Sequence, residues 1–149
     1  MTDDNTKHDS FYRSTGQKIR IIRIRKGIIA PKLAEQCKTT KTAISYYEND
    51  LRQVSVEKRK VIAKALGVSE LALKDHRIET VLDSLYAFFE MEARGEVFPC
   101  KTESGNYVLC MNDVKLSRAL MEWYEMYQKL DDHTITLNEY LDWKDHYAK

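Results

Sequence analysis

The sequence predicts a mainly α protein: a compact bundle of five short helices, then a small α+β module of one helix, a β-hairpin and two helices. Three observations carry that prediction. Helix-capping residues recur along the chain with only a few residues between one helical stretch and the next, the spacing of a bundle. With 2 Pro and 5 Gly in 149 residues, the chain is too poor in turn formers for a β-sandwich. Finally, two β-prone runs, at 97–101 and 107–111, flank a polar Ser/Gly/Asn turn and read as a hairpin.

Each element has its own local reason. Residues 1–13 lack apolar periodicity and read as a loose tail. Ser14 followed by Gln17 is a capping box, so a helix follows, and Gly27 stops it as a left-handed C-cap. Pro31 suits the first turn of a second helix, at 31–37, where its missing N–H is not needed. Thr40 caps a third helix at 41–49. Ser55 caps a fourth that ends at Leu66-Gly67, and Ser69 a fifth at 70–74. This first module spans 14–78. The second, 79–149, begins with a helix at 79–94 ended by Gly95. The hairpin follows, then a long helix at 113–130. A last helix opens on the Thr136…Glu139 capping box and runs to Tyr147.

The net charge of +1 conceals an asymmetry. Residues 11–78 hold 16 Lys/Arg against 6 Asp/Glu, a balance of +10, whereas residues 79–149 hold 7 against 14, a balance of −7. A basic module invites a polyanionic partner, nucleic acid first among them; mutual attraction of the two halves is the plainer alternative. No apolar run approaches the ~18 residues of a membrane span. The polar, acidic N-terminus is unlike a secretory signal. Cys37, Cys100 and Cys110 are odd in number with no Cys-x-x-Cys, which disfavours a disulfide scaffold and a zinc ribbon and points to a reduced, cytoplasmic protein. Cys100 and Cys110 flank the hairpin, and burial as small apolar residues is preferred over a redox pair. His8, His76, His133 and His146 have no metal-like spacing. With no phosphate-binding glycine loop, nucleophile elbow or carboxylate pair, neither a cofactor nor an enzyme activity is expected.

The functional constellation lies at 33–50, LAEQCKTTKTAISYYEND. Leu33, Ala34, Cys37, Ile44 and Tyr47 form the inward faces of two short helices joined by a tight turn, and the small Ala34 lets their axes approach. Lys41, Thr42, Ser45 and Tyr46, at i, i+1, i+4 and i+5, share the opposite face and point outward together. A helix of that kind fits the major groove of DNA.

Residues 16–74 resemble the Cro/phage-repressor-type (XRE) helix-turn-helix domain. The resemblance rests on Ile19-Arg20-Ile21-Ile22-Arg23 with Gly27, Leu33-Ala34-Glu35, Thr40 to Ser45, Tyr47-Glu48-Asn49 and Ala63 to Ser69. It implies a five-helix DNA-binding fold with the third helix as recognition helix. Position by position, it implies that Thr40 caps that helix and that Lys41, Thr42, Ser45 and Tyr46 face bases or phosphates. Asn49 and Arg52 would approach the phosphate backbone, and Arg23 would pair with Glu48 in a partly buried structural salt bridge. Departures from the family pattern are Ala30 and Pro31 where a glutamine and a free N–H often anchor DNA, and Lys38 and Asp50 where glycine is common. Lys38 in a left-handed conformation costs about 1 kcal/mol, and its charge is within reach of a phosphate. Of Arg13, Lys18, Arg20, Arg25 and Lys26, two or three are expected at phosphates.

The aromatic set Tyr86, Phe88, Phe89, Phe98, Tyr107, Trp123, Tyr124, Tyr127, Tyr140 and Trp143 is expected to form most of the core of the second module, with the remainder left for a dimer surface or a small-ligand pocket. The whole reads as a homodimeric, sequence-specific transcription regulator acting on double-stranded DNA as a repressor, its second module dimerising or sensing an effector. An antitoxin-like autoregulator and a protein-interaction adaptor built on the same fold are the alternatives.

Overall fold

The structure is a computed structural model and describes residues 14–147. The tail at 1–13, and Arg13 with it, lies outside the described residues. Eight helices and one hairpin follow in the order α1 (Thr15–Arg25), α2 (Ala30–Gln36), α3 (Lys41–Glu48), α4 (Val56–Leu66), α5 (Glu70–Leu73), α6 (Val81–Ala93), β1 (Val97–Lys101), β2 (Tyr107–Met111), α7 (Val114–Asp131) and α8 (Leu137–His146). The chain divides into two compact units. Among the described residues, one holds 14–77 together with 141–147, and the other is Ile78–Tyr140.

Caps account for most boundaries of the first unit. The Ser14 hydroxyl accepts the Gln17 N–H at 3.0 Å while Gln17 Oε1 accepts the Ser14 N–H at 3.3 Å, so two donors of the first turn are satisfied reciprocally. At the other end Gly27 takes φ +66°, which lets the Ile28 N–H reach back to the Arg23 carbonyl at 3.0 Å. Thr40, Ser55 and Ser69 each accept a backbone N–H at the start of α3, α4 and α5. The apolar positions of these helices meet in one core: Ile19 and Ile22 of α1, Leu33 and Ala34 of α2, Ile44 and Tyr47 of α3, Ile62, Ala63 and Leu66 of α4, and Leu73 of α5. Cys37 joins that core, and burial raises the pKa of its thiol, against a small opposing pull from Lys58, so it stays protonated and unreactive.

The end of α8 belongs with this unit, so the sequence division at 78 is not the only one; a second falls inside α8. Asp145 pairs with Arg25, Lys26 Nζ lies 3.1 Å from Asp142 Oδ1, and the Asp145 carbonyl accepts the Ser69 N–H at 2.8 Å. Arg25 and Lys26, expected among the phosphate-facing cations, are instead held by carboxylates. Lys18 likewise donates to the Lys74 carbonyl at 2.5 Å.

In the second unit, Thr80 and Asp83 form the capping box that opens α6, placing its start two residues beyond the expected Glu79. The strands β1 and β2 pair antiparallel, with Phe98 opposite Cys110 and Cys100 opposite Val108. That register puts Cys100 and Cys110 on the same face, diagonal to one another, with Cα atoms 6.1 Å apart, and they are joined as a disulfide. The expectation of two separate buried thiols is therefore corrected: the side-chain period of two and the short turn bring the sulfurs together. The aromatic set is corrected as well. Tyr140 is buried and its hydroxyl accepts the Trp123 Nε1–H at 2.7 Å, whereas Tyr86, Phe88, Phe89, Phe98, Tyr107, Trp123, Tyr124 and Tyr127 are exposed. Neither α6 nor α7 contains a buried residue. Two helices and one hairpin have too little mutual surface to cover so many large side chains.

Candidate nucleic-acid interface

Helix α3 is held by one face and free on the other. Ile44 and Tyr47 are inserted into the core, and Glu48 is 7% exposed. Arg23 of α1 meets Glu48 with two parallel bonds, Nε to Oε1 at 2.5 Å and Nη2 to Oε2 at 2.8 Å, while Nη1 donates to the Ile28 carbonyl at 2.9 Å. All three nitrogens of the guanidinium are used, so this pair ties the end of α3 to both α1 and the α1–α2 turn. The Glu48 hydrogen bond raises the pKa of Arg23 despite desolvation. A group so engaged is structural and does not reach a ligand.

The opposite face of α3 carries Lys41, Thr42, Ser45 and Tyr46, all exposed. Their placement follows from the two-helix core beneath them: burying Ile44 and Tyr47 leaves i−3, i−2, i+1 and i+2 of Ile44 facing out. Thr40 is also exposed, but its hydroxyl accepts the Ala43 N–H at 3.1 Å and is committed to the cap. Lys41 and Thr42 stand in the first turn of α3, at the positive end of the helix dipole.

Both departures from glycine adopt the left-handed conformation. Lys38, in the turn between α2 and α3, has φ +51°, and Asp50, just past α3, has φ +57°. Lys38 is exposed beside the N-terminus of α3. Asp50 has a use that the sequence reading missed: both of its carboxylate oxygens accept the Ser14 hydroxyl, at 2.7 and 2.9 Å, linking the end of α3 to the start of α1. Asn49 folds back, its amide donating to the Ser45 carbonyl at 2.8 Å. The Tyr46 carbonyl accepts the Leu51 and Arg52 N–H groups at 2.9 and 3.2 Å, a tight turn that leaves the Arg52 side chain exposed beyond the helix. A second feature missed by sequence is Gly16. A Cβ there would overlap the Tyr47 carbonyl oxygen and lie 2.9 Å from its carbon, so α1 and α3 are in backbone contact. A glycine inside the first turn of a helix, where alanine is favoured, is the one sequence signal that could have found it.

Among the described residues no group of histidine, cysteine or carboxylate side chains is arranged to hold a metal, and no helix is long and apolar enough to cross a membrane.

Residues 19–73, which contain both helices of this motif and the Arg23–Glu48 pair, match the family described as helix-turn-helix. This segment is an XRE-type helix-turn-helix domain. The XRE-type domain is of the kind that DNA-binding transcriptional regulators carry. The chain is similar to the clp gene regulator ClgR from C. glutamicum, with 29% identity over 40% of this chain and 77% of that one, at a TM-score of 0.39. It is similar to the restriction-modification controller protein C.AhdI from Aeromonas hydrophila, with 27% identity over 40% and 91% and a TM-score of 0.39. The SinR protein/SinI protein complex matches at 22% identity over 77% of this chain and 97% of that one, at a TM-score of 0.41. No curated protein matches the chain at a significant level.

Proposed function

We propose that this protein is a sequence-specific regulator of transcription that reads double-stranded DNA with α3 in the major groove and acts as a repressor. The observation that carries the reading is the exposed Lys41, Thr42, Ser45 and Tyr46 face, held rigid from behind by Ile44, Tyr47 and the Arg23–Glu48 pair. Lys41, at the N-terminal end of α3, reaches a guanine edge or a phosphate, and Thr42 and Ser45 offer hydroxyls to either. Tyr46 packs against the sugar-phosphate wall or a thymine methyl. Lys38, Asn49 and Arg52 flank this face and fix the helix on the backbone. With Pro31 in the first turn of α2, that helix has one N–H fewer for a phosphate, so anchoring falls on Lys38 and Arg52. The unit Ile78–Tyr140 supplies dimerisation, which sets two half-sites about one helical turn apart.

Selection of bound sites from a random duplex pool, at several salt concentrations, tests this. An inverted repeat is expected, with affinity falling by about 0.9 log units per log unit of salt for each phosphate neutralised. Lys41→Ala is expected to relax the preference at one base position by about 1–3 kcal/mol. Binding that is absent at low salt, or that shows no enriched sequence, removes the DNA reading and leaves the fold as a protein-docking module.

A further inference from the structure

The hairpin β1–β2 carries a pair of cysteines that DNA binding leaves unused. Side chains alternate along a strand, so Phe98 and Cys100 of β1 share one face with Val108 and Cys110 of β2. On that face Phe98 is 46% and Val108 43% exposed, and both cysteines are half-buried. The opposite face holds the buried Val97 with the half-buried Leu109 and Met111. The disulfide therefore lies on the more open face of the hairpin, within reach of a small molecule. Cys37 makes the contrast, a free thiol shut into the core of the other unit.

We propose that Cys100 and Cys110 are a reversible dithiol–disulfide site whose reaction partner is a small thiol/disulfide couple, and that the state of the bond sets how firmly the hairpin ties α6 to α7. Oxidation is thiol–disulfide exchange. One cysteine, as thiolate, attacks a sulfur of the small disulfide. That S–S bond breaks, a mixed disulfide forms, and a small thiolate leaves and takes up a proton. The second cysteine, as thiolate, attacks the protein sulfur of the mixed disulfide and releases the second small thiol. Two protein thiols have then lost two electrons and two protons, and one small disulfide has become two thiols. Reduction is the same sequence in reverse. The strand ladder holds the two Cα atoms 6.1 Å apart, within the span of a disulfide, so the second step is intramolecular and the mixed disulfide does not persist.

Reversibility follows from how little the hairpin adds to the bond. By linkage, an ordered hairpin favours the closed pair by the same factor as the closed pair favours an ordered hairpin. A lone two-stranded hairpin is marginal in water. Pro99 in β1 has no N–H to give. Closing residues ten apart in sequence favours the ordered hairpin by up to about a hundredfold. A bond supported by no more than that, and open to solvent, belongs with the labile disulfides and not with the buried structural ones. Order in the hairpin matters to its neighbours. At its base the Asn112 N–H donates to the Glu96 carbonyl at 2.8 Å and the Asn112 side-chain amide to the Gly95 carbonyl at 3.1 Å, joining the end of α6 to the start of α7. The proposal rests on the DNA reading for its surroundings alone: DNA lies where small thiols are abundant and where a protein disulfide is more often transient than structural.

The chemistry is tested without DNA. The full chain is equilibrated in buffers of reduced and oxidised glutathione, quenched with acid, denatured and treated with a maleimide, and free thiols are counted by intact mass. Three free thiols are expected in the most reducing buffers and one in the most oxidising. The midpoint should lie between them and follow the two-electron law, with Cys37 a thiol throughout. Cys100→Ser should leave Cys110 to accumulate as its glutathione adduct. In the unaltered chain, amide hydrogen exchange over 97–111 should be about tenfold to a hundredfold slower when the pair is closed, while α1 to α5 exchange alike in both states. A pair that stays closed in every buffer until the chain is unfolded is a structural disulfide, and overturns the proposal. So does a pair that never closes, one that stops at the glutathione adduct, or hairpin exchange that ignores the state of the bond. Loss of DNA binding with a normal titration would sink the function proposed above and leave this site standing.

Discussion

Replacing Gly16 by alanine sets two effects of opposite sign against each other. By helix propensity alone, Gly→Ala in α1 stabilises by up to about 1 kcal/mol. The structure argues for the reverse. The added Cβ would overlap the Tyr47 carbonyl oxygen and come within 2.7 Å of Asp50 Oδ1 and 2.9 Å of the Tyr47 carbonyl carbon. Backbone cannot rotate aside as a side chain can, so α1 must move away from the end of α3. That movement strains the Ser14–Asp50 bonds and the Arg23–Glu48 pair, which join the same two helices. Overpacking of a tight site costs about 1–3 kcal/mol. With both bridging contacts loosened, the upper end of that range outweighs the propensity gain, and a net loss of about 2 kcal/mol is expected. For a domain of this size the melting temperature should fall by roughly 5–15 °C. Thermal unfolding followed by circular dichroism at 222 nm measures it. A melting temperature that is unchanged or raised would show that the α1–α3 contact yields freely, and the account of α3 as a rigidly backed helix would fail with it.

Three further outcomes follow from the same contacts. Glu48→Ala leaves the Arg23 guanidinium, 13% exposed, without its carboxylate and is expected to cost about 2–4 kcal/mol in urea unfolding, far more than a surface pair. Lys38→Gly relieves a φ of +51° and should raise stability by up to about 1 kcal/mol, while lowering DNA affinity and making the salt slope shallower by about one unit. An unchanged slope would assign Lys38 to the turn alone. The third concerns acid. Hydrogen bonds from Thr80 and Glu79 lower the pKa of Asp83, and those from Thr136 lower that of Glu139. Because the folded values lie below the unfolded ones, the two caps contribute fully above the ordinary carboxylate range and are lost as pH falls below it through the lowered folded values. Helicity of α6 and α8 should therefore decline below about pH 4, and Asp83→Asn should flatten that decline; a decline equally steep in the variant would locate the acid sensitivity elsewhere.

Local chemistry made much of the first unit legible. Ser14, Thr40, Ser55 and Ser69 satisfy N–H groups within three residues of themselves, and Gly27 and Gly67 close helices by a conformation that belongs to glycine. Such signals act over one helical turn and can be read from a string of letters. The inward set Leu33, Ala34, Cys37, Ile44 and Tyr47 was legible for the same reason, as period alone decides which side of a helix is apolar. The second unit was less so. Apolar period says that a side chain wants cover but not whether one chain can supply it, and so the aromatic residues of α6 and α7 were mistaken for core.

By itself, then, the sequence determined where helices begin and end, which face of α3 points outward and where the charge of each sign is concentrated, because each of these depends on neighbours along the chain. Only the tertiary structure decided the rest. It closed Cys100 onto Cys110 through strand register, engaged Arg25 and Lys26 with carboxylates more than a hundred residues away, gave Asp50 to Ser14, and left the aromatic residues of α6 exposed. These depend on which segments meet in space, and on whether the surface they can bury matches the surface they carry.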